Sequence, residues 1–404
     1  MGRNNMERKK PLEDVVVLDL TRVLAGPYCV MILANLGAKI IKVERPQVGD
    51  DSRSFGPYKN GQSAYFVSLN RGKKSIAIDL KTLEGKQLIK EFTKVSDVVL
   101  ENFKPGTMEK LGLSYDELKK INPRIVYAAV SGFGRTGPYS KRPAYDMLAQ
   151  GMGGIMSITG QPGGEPTRVG SSIGDIVAGM FGAIGILTAL YERVFTGEGQ
   201  MVDVAMLDGQ VAILENAIAR YVVTGEIPGP LGSRHPSISP FEAFKTKDSW
   251  VIIACGNQII WEKFCRAIGR EDLMEIPEFA TNSKRTENYK KLKPIMDEIV
   301  QQKTTQEWLE LLEKYNVPSG PINTIDKLFD DPQVKSRNML IKAEQPGMGT
   351  IYVAGNPIKL STLKEEAVTG PAPKIGEHTE EILKTFLNYS DTMINELKAK
   401  NVIF

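Results

Sequence analysis

VVVLDLTRVLAGPYCVMILANLGAKIIKVE, residues 15–44, sets the architecture. Val15–Leu20 is an apolar run of strand length. Gly26-Pro27 opens a helix pattern that continues through Leu36, and Gly37 stops it before a second strand-like run, Lys39–Val43. Strand, helix and strand in roughly thirty residues predict a parallel pair joined by a right-handed crossover. The unit recurs in Ser75–Leu80, a helix over Leu83–Lys94, then Asp97–Leu100 and Ile125–Ser131. Alternation through residue 208 predicts an α/β fold with a doubly wound parallel sheet.

Beyond Gln210 a helical segment reaches Val223, and Gly, Pro and Ser then crowd together in GEIPGPLGSRHPSISP. Residues 225–240 are therefore expected to form a linker. Phe241–Phe244 and Trp250–Ala254 read as a hairpin around Lys247-Asp248, and helices follow over Trp261–Ile268, Asn288–Gln302 and Thr305–Tyr315. This predicts a smaller α+β domain over 241–324. Strand and helix signals return at Ile351–Ala354 and Gly376–Leu387, so residues 325–404 are expected to rejoin 1–224 in the large domain.

The 51 basic and 48 acidic residues are spread along 404 positions, for a net charge of +3. No block or stripe of Lys and Arg forms a nucleic-acid footprint. Cys29, Cys255 and Cys265 are odd in number and lack a Cys-x-x-Cys spacing, which disfavours a disulfide framework and a zinc site and suits a reducing cytosol. With only His235 and His378, a histidine-rich metal centre is not expected. The basic N-terminus runs into a strand and does not read as a signal peptide. The longest apolar run, Ile176–Leu190, falls short of the ~20 residues that span a bilayer. A cytoplasmic protein without membrane contact is expected.

The junction TRVLAGP carries one glycine where a dinucleotide fold places G-x-G-x-x-G, so a nicotinamide cofactor is disfavoured. Lys42, Arg45 and Arg53 surround a Gly-Asp turn, and Arg71, Lys73, Lys74 and Lys81 follow in NRGKKSIAIDLK. ENFKPGTMEKLG adds Asn102, Lys104 and Lys110. Cations at the carboxyl ends of parallel strands suit a phosphate-bearing ligand, although each alone reads as a solvated surface charge.

SSIGDIVAGMFGAIGILTALYERVFTGEGQMVDVAMLD, residues 171–208, sets Asp175 at the start of a Gly- and Ala-rich helix that ends near Arg193. Such an acid is an N-cap, an anion-rejecting wall or a nucleophile, and spacing alone favours the N-cap. Gly179, Gly182 and Gly185 recur every three residues and permit close backbone packing. His235 reads as a loop residue and His378 as a helix-start cap.

The order LDLTRVLAGPYCVMILANLGAKIIKVERPQVGDDSR, NRGKKSIAIDLK, VLENFKPGTMEKLGL, SGFGRTGPY, GDIVAG and GEGQMVDVAMLDG resembles the class III CoA-transferases over nearly the whole chain. The resemblance implies a Rossmann-like large domain, a smaller domain, and two chains interlocked as an obligate homodimer. Asp175 matches the family's catalytic aspartate, which overrides the N-cap preference. Its carboxylate is expected to form a mixed anhydride and then an aspartyl-CoA thioester. CoA thioesters would be substrates, with no permanently bound cofactor and no metal. Carried over by position, Arg45, Ile78, Lys81, Asn102, Phe103 and Lys110 line the CoA site, Val23, Leu24 and Ala25 border the thioester, and Tyr145 and Asp146 complete the CoA-binding set. Lys110 replaces an arginine of the formyl-CoA transferase, Leu24 replaces its glutamine, and its covering glycine run is missing. The pattern looks closest to succinyl-CoA:glutarate-type transferases. A dicarboxylate acceptor is expected, with Arg53, Arg135, Arg168 or Arg234 on its distal carboxylate and His235 nearby.

Three other readings share the superfamily: a formyl-CoA:oxalate-type transferase, a 2-methylacyl-CoA racemase, and a non-catalytic subunit of a heteromeric transferase. The racemase needs a histidine where this chain has Tyr145, and a tyrosine with an ordinary pKa of about 10 is a poor α-proton base. Asp175 argues against the silent subunit.

Overall fold

The computed structural model describes residues 10–361 and 370–404; the N-terminal stretch before Lys10 lies outside them. Six strands form the main sheet: β1 (Val16–Asp19), β2 (Lys39–Glu44), β3 (Lys74–Ala77), β4 (Val98–Glu101), β5 (Val126–Ser131) and β6 (Met201–Ala205). Their order is β3-β2-β1-β4-β5-β6, parallel throughout. That is the order of dinucleotide-binding sheets, so the large unit is Rossmann-like. β1, β4 and β5 are buried along their whole length, which explains their nearly unbroken apolar sequences.

Alternate residues feed two cores. Leu18, Ile41, Val99 and Tyr127 face one, with Leu88, Ile89 and Phe92 of the helix Leu83–Val95. Val17, Ile40, Val98 and Val126 face the other, which α1 (Ala25–Asn35) covers with Cys29, Val30 and Leu33. Two further helices matter for the site: α2 (Asp146–Met152) and α3 (Ile173–Thr196). α3 packs on α1 through its glycines. A Cβ at Gly179 would stand 2.7 Å from the Ala25 carbonyl oxygen, and one at Gly182 would stand 3.3 Å from Cys29 Sγ. By length and composition α3 is long and apolar enough to cross a membrane, beyond what the run Ile176–Leu190 suggested. The glycine contacts instead make it a helix of the sheet's covering layer.

The chain divides into two compact units. One comprises the residues up to Ile155, Arg168–Val223 and Pro332–Phe404. In it the C-terminal segment returns to β3: Ile403 bridges Ile78, and the Phe404 N–H donates to the Ala77 carbonyl. His378 stands at the N-cap of the helix Thr379–Leu387 without capping it; its Nδ1 accepts the Ser75 N–H. The second unit, Met156–Thr167 with Thr224–Asp331, is α+β. Phe241–Lys245 and Trp250–Ala254 pair antiparallel, Ser319–Pro321 adds a third strand, and helices close a core that includes Trp261, Phe264 and Trp308.

Candidate active site

The strand order reverses between β1 and β4, and the loops that leave these two strands border two cavities. Ligands of open α/β sheets bind at this switch point. The first cavity, about 580 Å³, is lined by Arg22, Arg45, Ile78, Lys81 and Phe103 among others. The second, about 350 Å³, is lined by Val23, Leu24, Ala25, Asn102, Tyr145 and Asp175 among others. Arg22 and Phe103 belong to both, with the Arg22 guanidinium 5.3 Å from the centre of the Phe103 ring. The two cavities therefore adjoin across this pair.

Asp175 sits in the first turn of α3 and does not cap it. Ser172 occupies the cap position, and the Gly174 N–H donates instead to Asp146 Oδ1 at 2.8 Å. The close approach of Gly179 to Ala25 sets the start of α3 beside the start of α1, and both helix starts contribute to the smaller cavity. Burial, and secondarily repulsion from Asp146, push the Asp175 carboxyl up to about 7. Among the described residues no donor is seated on it. A half-buried carboxyl that lines a cavity and whose ionised form is disfavoured by burial is a perturbed acid of the kind that clusters at functional sites.

The remaining predicted residues divide. Arg45 and Lys81 stand exposed at the rim of the first cavity, with Arg45 paired to Asp51. Asn102 clasps the Arg22 backbone, accepting its N–H at 2.8 Å and donating to its carbonyl at 2.7 Å. Asp146 is buried and also accepts from Gln150 Nε2 at 2.8 Å. Lys110 lines a different groove, with Glu84 and Tyr389. Arg53 is bound to Glu44 and stacked 3.7 Å over Phe66. Arg135 is paired with Glu101 and Glu109. Arg168 reaches to 3.9 Å from Asp146 and donates to the Val169 and Gly170 carbonyls. Arg234 and His235 lie in the second unit, Arg234 over Tyr289 at 3.6 Å and His235 Nδ1 accepting the Ser237 N–H.

Three cations of the phosphate-binding pattern are not available for that role. Lys42 and Lys73 are buried against Asp19 and Asp50, and Arg71 is buried, donating to the Ser68 and Ala354 carbonyls. Two guanidinium groups escaped the sequence reading: Arg22 and Arg142 both line the Asp175 cavity. Their loops carry no spacing that marks them. Among the described residues no group of three or more His, Cys, Asp and Glu could hold a metal ion.

The profile of CoA-transferase family III matches residues 12–379. The chain belongs to this family. A family III CoA-transferase moves CoA between acyl-CoA and carboxylate substrates, and this chain is such an enzyme. It is 39% identical to the succinyl-CoA:glutarate CoA-transferase of Homo sapiens over 402 residues, covering 99% of this chain and 92% of that protein. It is 42% identical to the acetyl-CoA:oxalate CoA-transferase of Acetobacter aceti over 379 residues, covering 94% and 96%. A crystal structure of a CAIB/BAIF family protein from Brucella suis superposes with a TM-score of 0.82 at 40% identity, covering 94% of this chain and all of that one.

Proposed function

We propose that the enzyme carries CoA from succinyl-CoA to a dicarboxylic acid through covalent intermediates on Asp175. The observation that carries the proposal is the Asp175 carboxyl, half-buried, free of donors among the described residues and facing the smaller cavity. The ionised carboxylate attacks the thioester carbonyl carbon, the C–S bond breaks, and CoA leaves as thiolate, which gives a mixed anhydride. The thiolate attacks the Asp175 acyl carbon and expels succinate, leaving an aspartyl-CoA thioester. The acceptor carboxylate attacks that thioester and frees CoA again. The thiolate then attacks the acceptor's acyl carbon, so the new acyl-CoA departs and the Asp175 carboxylate returns. Acyl activation is conserved throughout, and no ATP is required.

The Leu24 and Ala25 N–H groups open the first turn of α1, where helical amides lack intrahelical partners, and both residues line the cavity. They are suited to hold each tetrahedral oxyanion. Arg45 and Lys81 would meet the CoA phosphates, since they supply the positive rim of the larger cavity. A dicarboxylate acceptor fits both relatives above, one a glutarate and the other an oxalate CoA-transferase. Arg53 and Arg135 are already neutralised by carboxylates. We therefore assign the distal carboxylate to Arg142, which is held 4.1 Å over Tyr139 and, among the described residues, makes no ion pair.

The outward side of α3 exposes Met180, Ile184, Tyr191, Val194 and Phe195. An apolar face of this kind supports the interlocked homodimer; a monomer by analytical ultracentrifugation would refute it. Three free, buried cysteines fit a cytoplasmic location. The mechanism is tested by incubation with succinyl-CoA, borohydride reduction and peptide mass spectrometry. A reduced side chain at Asp175 is expected; no adduct with any of several acyl-CoA donors would overturn the proposal.

A further inference from the structure

Val23 sits between β1 and α1 with φ 67°, a left-handed conformation that a β-branched residue seldom adopts. Nothing local accounts for it: the residue is no glycine and no Asn or Asp, and the helix it precedes has no side-chain cap. What holds it comes from elsewhere in the chain. The Val23 N–H donates to Asp50 Oδ1 at 3.0 Å. Asp50 Oδ2 lies 2.9 Å from Lys42 Nζ, and neither side chain has any exposure. Lys42 Nζ also donates to the Thr21 carbonyl at 3.0 Å, two residues before Val23. Asp50 is further fixed by the Ser52 N–H and hydroxyl, at 2.9 and 2.8 Å.

A buried ion pair is weak support for stability, because apolar residues of similar volume commonly serve as well. Its retention beneath this loop calls for another reason. The residues that follow Val23 are Leu24 and Ala25, whose amides open α1 on the Asp175 cavity. We propose that the buried Lys42–Asp50 pair locks Val23 in its strained conformation, and that this lock aims the Leu24 and Ala25 amides at the reacting carbonyl. Lys42, Asp50 and Val23 are positioning residues. Strain of this kind persists only where the surroundings over-determine it, and it removes a reorganisation that the loop would otherwise undergo in the transition state. The inference rests on the aspartyl mechanism proposed above.

The test compares the full-length enzyme with Val23→Gly, with the double variant Lys42→Met/Asp50→Leu, and with the triple combination. Circular dichroism melting, kcat, KM for succinyl-CoA and the rate of Asp175 adduct formation are read for each. The double variant leaves the Asp19–Lys73 pair in place. Glycine accepts the left-handed conformation without strain, so Val23→Gly melts at or above the parent temperature. Its kcat and adduct rate fall about fivefold or more as the backbone regains freedom, with KM changed less than about twofold. In the Lys42→Met/Asp50→Leu background, adding Val23→Gly costs no further activity, because the lock is already gone. Val23→Gly with parental kcat, or losses that multiply independently, would overturn the inference. If the double variant does not fold, the kcat and melting point of Val23→Gly decide. A parent enzyme that forms no Asp175 adduct and exchanges no CoA refutes the mechanism and this inference with it. An active parent with an equally active Val23→Gly variant refutes this inference alone.

Discussion

Asp146 and Asp175 meet at the start of one helix: Asp146 Oδ1 accepts the N–H of Gly174, the residue before Asp175, while its charge opposes ionisation of Asp175. The arrangement fixes where α3 begins and raises the carboxyl it presents. A carboxylate made less stable in water's absence is a stronger nucleophile once ionised, at the cost of being partly protonated near neutrality.

Activity should therefore rise with pH through about 7, since only the ionised carboxylate attacks. Asp146→Asn removes the repulsion and shifts the rise to lower pH. The measurement is kcat/KM for succinyl-CoA between pH 5 and 9. A parental profile flat from pH 5 to 8 would exclude Asp175 as the titrating group.

Stability should move the opposite way. The folded-state pKa of Asp175 lies above the ordinary aspartate value of 3.8, so the folded chain binds that proton more tightly than the unfolded chain does. Ionisation then costs folding stability progressively from about pH 4 to about pH 7, and the cost stays constant above. Asp175→Asn should be more stable than the parent at pH 8 by a few kcal/mol at most, with the gap closing toward pH 4. Denaturant melts at the two pH values check this; an equal gap at both would contradict it.

The α1–α3 contact predicts a graded cost of small substitutions. A Cβ at Gly179 would strike the Ala25 carbonyl, which is backbone and cannot swing aside, whereas at Gly182 it would meet the softer Cys29 sulfur at 3.3 Å. Gly179→Ala should lose about 1–3 kcal/mol and reduce activity by displacing α1 from Asp175, with a smaller loss for Gly182→Ala. Thermal melts of both variants decide, and a reversed order would count against the packing argument.

Arg142 supplies the acceptor test. Arg142→Ala should raise KM for a dicarboxylate acceptor about 10–100-fold, the loss of a charge-assisted hydrogen bond. KM for succinyl-CoA as donor also includes a distal carboxylate, so the control is a monocarboxylate acceptor with acetyl-CoA, which should be little changed. Arg142→Lys should recover only part of the loss, because a point charge lacks the bidentate fork. An Arg142→Ala enzyme that handles glutarate normally would remove Arg142 from the site.

Much of the fold was legible in local pattern. The apolar runs around TRVLAGP gave β1, α1 and β2 within a residue or so of their ends, and Trp250–Ala254 matches its strand. The site was less legible. Asp175 stood out as a lone acid at a helix start, yet its spacing favoured a cap, and the actual acceptor for that helix start is Asp146, 28 residues away from Gly174. Lys42 looked like a phosphate-binding cation at a strand end; it is buried in a pair with Asp50. Arg22 and Arg142 sit in loops whose composition is ordinary, and only the chain's path brings them to one cavity.

The sequence by itself determined the layered α/β order, because strand and helix periods and short connections are properties of neighbouring residues. The tertiary structure alone decided which charges remain available and which conformations are enforced. Asp50 reaches Val23 across 27 positions, and Arg135 reaches Glu101 across 34. A charge is neutralised, or a backbone strained, by whatever the fold places within a few ångströms of it, and that distance is not written in the spacing along the chain.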